Sequence, residues 1–143
     1  MSRTVAVAGV HHLKVPVSDL DRSRSWYADV LSVAVEREFR DDDGVVRGVA
    51  FERRNGLTVC LRQDAARARA LAGFDPYAVL VPFRRDLDDV LDRLDDLGVA
   101  HSPVVTASLG WLVRVPDPDG IELRFYTEER HVRERADGKG TSA

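Results

Sequence analysis

The stretch DPDGIELRFY, residues 117–126, decides the fold prediction for this chain. Asp-Pro-Asp-Gly is strong turn chemistry, because proline presets φ, aspartate side chains bond to nearby backbone and glycine accepts a positive φ. The apolar run from Leu112 to Val115 precedes the turn, and an alternating run follows it. We therefore predict a β-hairpin with a fixed register, and that register determines which side chains of the last strand share a face.

Length and composition predict one domain with its own core and an acidic surface. The 143 residues are 44% hydrophobic and 31% charged, with a net charge of −3, and a chain of this length can bury a core. Nucleic-acid surfaces usually carry a basic excess, and no apolar run is long enough for a membrane span. Cys60, the only cysteine, suits a reducing cytoplasm. We expect a cytoplasmic protein whose partners are neither nucleic acid nor membrane.

The predicted elements occur twice in the same order, as one strand, one helix and three strands. The first copy has strands at 10–17, 33–39, 45–52 and 57–61 with a helix capped by Ser18 or Asp19, and the second has strands at 77–81, 104–107, 111–115 and 121–126 with a helix at 87–97. Val17 and Val81 are 64 residues apart, as are the turns Asn55-Gly56 and Asp119-Gly120. Equal separations at both ends of the unit indicate an internal repeat.

The repeat divides the chain into a first βαβββ module at 7–63, a connector with a short helix at 64–74, a second module at 75–127 and a polar tail at 128–143. Each module has one helix to cover one face of its sheet. The prediction is an α+β fold in which two such sheets pair into a cupped, open β-barrel with the helices outside.

Two motifs give the chain a resemblance to a known family. They are GVHHLKVPVSDLDRSRSWY, residues 9–27, and VPDPDG, residues 115–120, with the strand that follows. In these motifs and in the paired modules over 7–127, the chain resembles the vicinal oxygen chelate superfamily of glyoxalases, bleomycin-resistance proteins and extradiol dioxygenases. The resemblance implies a cup that holds a small molecule, and a homodimer. In metal-dependent members it also implies His and Glu ligands on the first and last strand of each half.

Two alignments of this chain with the family's metal-ligand positions are possible. By the first, the set of metal ligands is incomplete. His12 stands where the family has its first-strand histidine, but Pro76, its counterpart in the repeat, has no ligand atom. Counting from the turn glycine, Arg124 replaces the glutamate of the last strand, with Cys60 as its counterpart. A permanent cation at Arg124 would repel a divalent ion by several kcal/mol.

The second alignment assumes a turn two residues shorter and gives the glutamate position to Glu122, with Thr58 as its counterpart. Residues two apart on a strand share a face, so Glu122 and Arg124 both face the cup in either case. No usual ligand set is complete, and we expect no cofactor. A non-standard set of His12, Cys60 and Glu122 for a divalent metal (Zn, Fe, Mn or Ni) stays open. Against it, Cys60 suits a buried apolar site, and Glu122 could pair with Arg124 or Lys14.

The cup could also act without a metal. His12 is a candidate general base or acid, because imidazole changes charge near neutral pH. Arg124 could hold a carboxylate, phosphate or enolate oxygen, Lys14 adds charge on the same face, and Glu122 could orient either cation. The opposing interpretation is that His12 is a polar lining residue without a catalytic role.

Four aromatic residues are candidates for contact with a planar ligand. Trp111 opens the penultimate strand, Tyr126 lies on the cavity face by alternation, and Phe51 or Phe39 could serve likewise. The other histidines are expected elsewhere: His11 beneath the first helix, His101 exposed at the rim where a strand begins, and His131 in the tail without a role.

Two classes of function follow from this site. The first is a ligand-binding protein of the bleomycin-resistance type, which sequesters a drug or metabolite unchanged. The net charge of −3 agrees with the cationic ligands best known for that group. The second is an enzyme, either a glyoxalase-type lyase or isomerase or a dioxygenase with an altered metal site, or a metal-free acid–base catalyst that uses His12. A purely structural role has the least support, because charged and imidazole groups face the cup.

Overall fold

The computed structural model describes residues 3–131, which contain eight strands and three helices. In chain order they are β1 Leu13–Val17, α1 Leu20–Leu31, β2 Val35–Arg40, β3 Val46–Phe51, β4 Val59–Gln63, α2 Ala65–Leu71, β5 Tyr77–Val81, α3 Asp86–Asp96, β6 Val105–Thr106, β7 Trp111–Pro116 and β8 Glu122–Thr127. The chain divides into two compact units at Ala65 and Ala66. The predicted tail lies mainly outside the described residues. Within residues 3–131, no helix has the length and apolar character needed to cross a membrane.

The first unit is a four-stranded sheet in the order β1-β4-β3-β2, with β1 parallel to β4 and the other pairs antiparallel. β1 lies at an edge, where the missing N–H of Pro16 is tolerated. It begins at Leu13 and not at Val10, which is 61% exposed. α1 is capped as predicted, since Asp19 Oδ1 accepts a hydrogen bond from the Arg22 N–H at 3.1 Å.

The second unit repeats this topology in the order β5-β8-β7-β6. Leu13 is aligned with Val59 in the first parallel pair, and the residues 64 positions later, Tyr77 and Leu123, are aligned in the second. The internal repeat and the α+β class are therefore confirmed. β6 has only two residues, against the four predicted at 104–107.

The Asp-Pro-Asp-Gly turn joins β7 to β8 as the predicted antiparallel hairpin. The carboxylate oxygen Oδ1 of Asp117 accepts hydrogen bonds from the Asp119 N–H at 2.8 Å and the Ile121 N–H at 2.9 Å. Gly120 has a φ of 80°, which glycine adopts without a Cβ penalty. This turn fixes the register in which Arg114 lies opposite Arg124.

Each sheet buries one face. In the first unit, Val59 and Leu61 of β4 are buried and alternate with Cys60 and Arg62, which are not. α1 contacts β3 and β4 and contributes Leu20, Tyr27 and Val30 to this core. In the second unit, α3 contacts β7, and Leu87, Leu94, Val113, Val115 and Leu123 are buried. Alternation therefore leaves the odd-numbered positions of β1 and β4 in the core and gives the even-numbered positions to the opposite face.

Candidate functional site

The candidate site is the face of the first sheet that does not carry the core. Strand pairing aligns Lys14 with Cys60, Cys60 with Ala50, and Ala50 with Arg37, so these four side chains form one row across all four strands. We call this surface the open face. Here the alternation predicted for β1 is confirmed, because Lys14 is exposed while Val15 and Val17 are buried.

A cavity of about 680 Å³ lies over the open face. Its floor is made by the short residues Gly48, Ala50 and Cys60, in the two central strands. A Cβ at Gly48 would lie 3.0 Å from the Leu61 carbonyl oxygen and 3.8 Å from the side chain of Phe39. The longer residues Lys14, Phe39 and Arg62 stand around this floor. Small residues in the middle of the sheet thus create the concave surface that a small ligand needs.

Two histidines precede β1 at the cavity. His11 and His12 are both exposed, their Nδ1 atoms are 2.8 Å apart, and their rings meet edge to face with centroids 5.1 Å apart. One Nδ1 must donate and the other accept, so the bonded pair carries at most one positive charge. The expectation that His11 packs beneath the helix is wrong. β1 starts only at Leu13, and strand alternation does not extend back to His11.

The lining carries more positive than negative charge. Five cations, Lys14, Arg37, Arg40, Arg47 and Arg62, face three carboxylates, Glu36, Asp41 and Asp64. Arg47 Nε is 3.0 Å from Asp41 Oδ2, and Arg40 Nη2 is 3.3 Å from Glu38 Oε1. The Val45 N–H and the Arg47 guanidinium hold the pKa of Asp41 below its ordinary value. These two arginines are therefore paired with ionised partners.

Cys60 is half-buried in the floor and forms no disulfide. Burial raises the pKa of its thiol, and the charge of neighbouring Lys14 opposes that shift only in part. Because metals bind the thiolate, this raised pKa works against a metal at Cys60.

In the second unit, Glu122 and Arg124 lie side by side on β8. Arg124 Nε donates to Glu122 Oε1 at 2.7 Å, and Arg124 Nη1 is 3.3 Å from Asp75 Oδ2. Arg114 Nε is 3.6 Å from the same Glu122 oxygen. The interpretation of Glu122 as an ion-pair partner of Arg124 is thus confirmed, and Asp75 and Arg114 are additions that the sequence did not reveal.

These contacts test whether the residues fit the metal that the resemblance implies. Glu122 is held by two guanidinium groups, the raised pKa of Cys60 disfavours the thiolate that a metal binds, and Pro76 supplies no ligand atom. Within residues 3–131, neither unit contains a group of three or more His, Cys, Asp or Glu side chains suited to a metal ion. Of His12, Cys60 and Glu122, only His12 has no such obstacle, and its Nδ1 is hydrogen-bonded to that of His11. The donor set does not fit a divalent metal.

The aromatic candidates lie in different environments. Tyr126 is opposite Leu112, on the face of Arg124, and its hydroxyl accepts a long hydrogen bond of 3.4 Å from the Leu109 N–H. Trp111 directly precedes Leu112 on β7 and therefore lies on the opposite face of the sheet. Its ring meets the His131 ring edge to face, with the two centroids 5.3 Å apart. This arrangement corrects its predicted place at the binding face.

Phe51 also requires a correction, because it is fully buried in the core of the first unit. The alternative residue, Phe39, is 47% exposed and lines the cavity. A register shift between Val35 and Arg37 changes the face of β2 residues relative to simple alternation. The shift lies before Arg37, which shares a face with Phe39 two residues later and could have been found from it. Arg62 could have been found, since it is two residues from Cys60 on the same strand.

His101 and His131 both form hydrogen bonds within the second unit. His101 is 16% exposed in its side chain, and its Nδ1 and Nε2 are each 2.6 Å from an acceptor, the Ser102 carbonyl and the Asp95 carboxylate. It precedes β6 and does not begin it, which corrects the expectation of an exposed position at a strand start. His131 Nε2 is 2.8 Å from the Ala107 carbonyl oxygen. Neither residue lines the cavity of the first unit.

Comparison with known proteins gives a consistent result. The family model described as Glyoxalase/Bleomycin resistance protein/Dioxygenase superfamily matches residues 9–125. Among solved structures, a glyoxylase/bleomycin resistance protein/dioxygenase domain from Frankia sp. EAN1pec is 24% identical, with a TM-score of 0.68 over 92% of this chain and 99% of that one. No curated protein matches this chain in sequence.

Two other similar structures have more specific descriptions. The fosfomycin resistance protein FosX from Listeria monocytogenes, complexed with Mn(II) and 1S,2S-dihydroxypropylphosphonic acid, is 16% identical over 92% of this chain and 99% of that one, with a TM-score of 0.68. TnmS3, an antibiotic binding protein from Streptomyces sp. CB03234, is 16% identical over 88% and 100%, with a TM-score of 0.67. At these identities the likeness shows a shared fold, while activity depends on the residues of each site.

Proposed function

We propose that this chain, which belongs to the Glyoxalase/Bleomycin resistance protein/Dioxygenase superfamily, binds a small organic molecule on its open face and holds it unchanged. The observation that carries the proposal is the cavity of about 680 Å³ over a floor of Gly48, Ala50 and Cys60. Its volume lies within the range of roughly 300–1,000 Å³ that small-molecule sites occupy. Polar groups from His12 and Lys14 at its side supply orientation.

The chemistry of the candidate ligands supports binding without the usual metal. Glu122 is committed to Arg124 and Arg114, and burial raises the pKa of the Cys60 thiol, which disfavours its thiolate. TnmS3 supports the same class of function, since it is an antibiotic binding protein of this fold. Sequestration needs only a complementary cavity, whereas a metal-dependent lyase, isomerase or dioxygenase would need a donor set that these residues do not offer.

A second candidate function is metal-free acid–base catalysis by His12. The observation in its favour is the hydrogen bond between the Nδ1 atoms of His11 and His12. That bond constrains the orientation of the His12 ring, and its other nitrogen, Nε2, would be the atom that transfers a proton. The two candidates differ in one respect, which is whether a bound molecule leaves the site unchanged.

The experiment is a melting-temperature screen of small organic molecules, repeated with and without divalent cations. Ligands that bind the folded chain raise its melting temperature. Ala50→Trp fills the floor of the cavity and should abolish the rise, while Ala70→Trp, at an exposed position of α2, should retain it. A ligand that raises the melting temperature of Ala50→Trp as much as that of the parent would bind outside the cavity, and this would contradict the proposal. Unchanged ligand after long incubation supports sequestration, and a new product that is lost in His12→Ala supports catalysis.

The proposal includes two statements that rest on the resemblance and on composition. The chain forms a homodimer, as the family resemblance implies, and it works in the cytoplasm, where its single free cysteine stays reduced. Sedimentation of the purified protein tests the first, since a monomer at all concentrations would contradict it.

A further inference from the structure

The open face carries three cations that no carboxylate neutralises. Among residues 3–131, Lys14, Arg37 and Arg62 have no ion-pair partner, although all three line the cavity. By contrast, Arg24, Arg40, Arg47 and Arg54 of the same unit each lie within 4.0 Å of an acidic side chain. Three cations without an ion pair in the described part of the chain thus stand at the cavity, while the four paired arginines have partners in Glu38, Asp41 and Glu52.

The strand register brings these cations around one floor. Lys14 and Arg37 stand at the two ends of the row that contains Cys60 and Ala50. Three strand spacings separate their backbones, or roughly 14 Å. The short side chains between them let the two long side chains extend toward each other. Arg62 is two residues after Cys60, so it shares the open face one row further along, aligned with Gly48.

Next to the cations is an apolar surface. Phe39 is opposite Gly48, lines the cavity and is 47% exposed, so its ring is accessible to a ligand there. The cavity therefore combines positive groups with one aromatic face and a flat floor. The chain has a net charge of −3, which by itself would favour cationic ligands. The cavity instead attracts anions, because its own cations dominate the potential inside the cleft.

We propose that the ligand of this cavity carries an oxyanion group, such as a carboxylate, phosphate or phosphonate, held by Lys14, Arg37 and Arg62, and an apolar part that lies against Phe39. This inference rests on the proposed function and reverses the expectation of a cationic ligand drawn from net charge. Guanidinium and ammonium groups form charge-assisted hydrogen bonds with such oxyanions, and an arginine can engage two oxygens at once.

The test uses four probes with the same aromatic body and different charge: benzoate, phenylphosphonate, benzamide and benzamidine. Binding is followed by chemical-shift changes in the backbone amides of residues that line the cavity. We expect saturable binding of the two anions, weak binding of neutral benzamide and none of cationic benzamidine. Affinity for the anions should fall at high salt, because screening weakens the interaction with partly exposed cations.

Variants separate the cavity from general charge effects. Lys14→Gln and Arg37→Gln should each weaken anion binding about tenfold or more, the usual effect of losing one charge-assisted contact. Lys14→Arg should retain most of the affinity. Arg69→Gln removes the same charge from an exposed position of α2 outside the cavity and should have no effect. All three positions are exposed, so the four variants should keep the melting temperature of the parent.

The outcomes distinguish this inference from the function on which it rests. If benzamide or benzamidine binds as well as benzoate, and Ala50→Trp abolishes that binding, the cavity binds ligands but the oxyanion assignment is wrong. If benzoate binds with unchanged affinity to Lys14→Gln and Arg37→Gln, the assignment is also wrong. If no probe binds at millimolar concentration, the oxyanion assignment is wrong, while the wider melting-temperature screen decides the proposed function separately.

Discussion

Arg124 and Glu122 lie two residues apart on β8 and form a direct ion pair, with Nε donating to Oε1 at 2.7 Å. Their side chains are only 16% and 22% exposed. A guanidinium–carboxylate contact of this length is a charge-assisted hydrogen bond. The same contact removes from Glu122 the freedom to act as a metal ligand, so one residue pair bears on both stability and function.

Removal of the cation should leave Glu122 partly desolvated with a weaker partner. Arg124→Gln is expected to lower the free energy of unfolding by about 1 to 3 kcal/mol, because a charged hydrogen-bond acceptor loses its donor. Arg114 is 47% exposed and 3.6 Å away, so Arg114→Gln should cost less than about 1 kcal/mol. Urea denaturation of both variants measures the difference. Equal losses in the free energy of unfolding would show that the 2.7 Å contact of Arg124 stabilises the fold no more than the 3.6 Å contact of Arg114 does.

Metal content provides a direct prediction for the purified protein. After equilibration with Zn, Mn, Ni or Fe(II) and removal of free ion, elemental analysis should find much less than one equivalent per chain, because Glu122 and Cys60 are unsuited to the role. The matched variant is His12→Ala, which should give the same background value. One equivalent in the parent that disappears in His12→Ala would contradict the proposal of binding without a metal.

The hairpin and the repeat were predictable because both depend on local signals. Turn chemistry at 117–120 fixes its own register, and the 64-residue separation appears in the sequence and again in the strand pairs. Arg37 could have been inferred from Phe39, two residues later on the same face, but its place opposite Ala50 depends on a register shift after Val35 that has no mark in its residue types. The position of His11 was not predictable, because it depends on where strand pairing begins, at Leu13. Local pattern thus specifies elements, while pairing between elements decides which side chains reach the cavity.

Asp117 should contribute strongly to the turn between β7 and β8. It is 5% exposed, and its Oδ1 accepts from two backbone N–H groups. Asp117→Ala would leave the buried Ile121 N–H without this acceptor, and we expect a loss of about 1 to 3 kcal/mol in the free energy of unfolding. Asp117→Asn retains a side-chain oxygen and should lose less. Urea denaturation compares the two, and an Asn variant as unstable as the Ala variant would show that the turn bonds are unimportant.

His101 should make stability depend on pH. Both ring nitrogens face acceptors, the Ser102 carbonyl and the Asp95 carboxylate, and only the imidazolium can donate to both. The Ser102 carbonyl first, and the Asp95 carboxylate second, raise the pKa of His101 above its ordinary value. The folded state therefore holds this proton more tightly than the unfolded state does.

The stabilisation from His101 is complete below the unfolded pKa of about 6.5 and is lost as pH rises through the higher folded value. Unfolding free energies measured across this window should fall with pH in the parent protein, and His101→Asn should flatten the fall. Asp95→Asn removes only the carboxylate that raises the pKa of His101 and keeps the Ser102 carbonyl, so it should reduce the fall in stability with pH only in part. A parent whose stability rises over the same window, or a His101→Asn variant with the parent's slope, would contradict the assignment of this proton to His101.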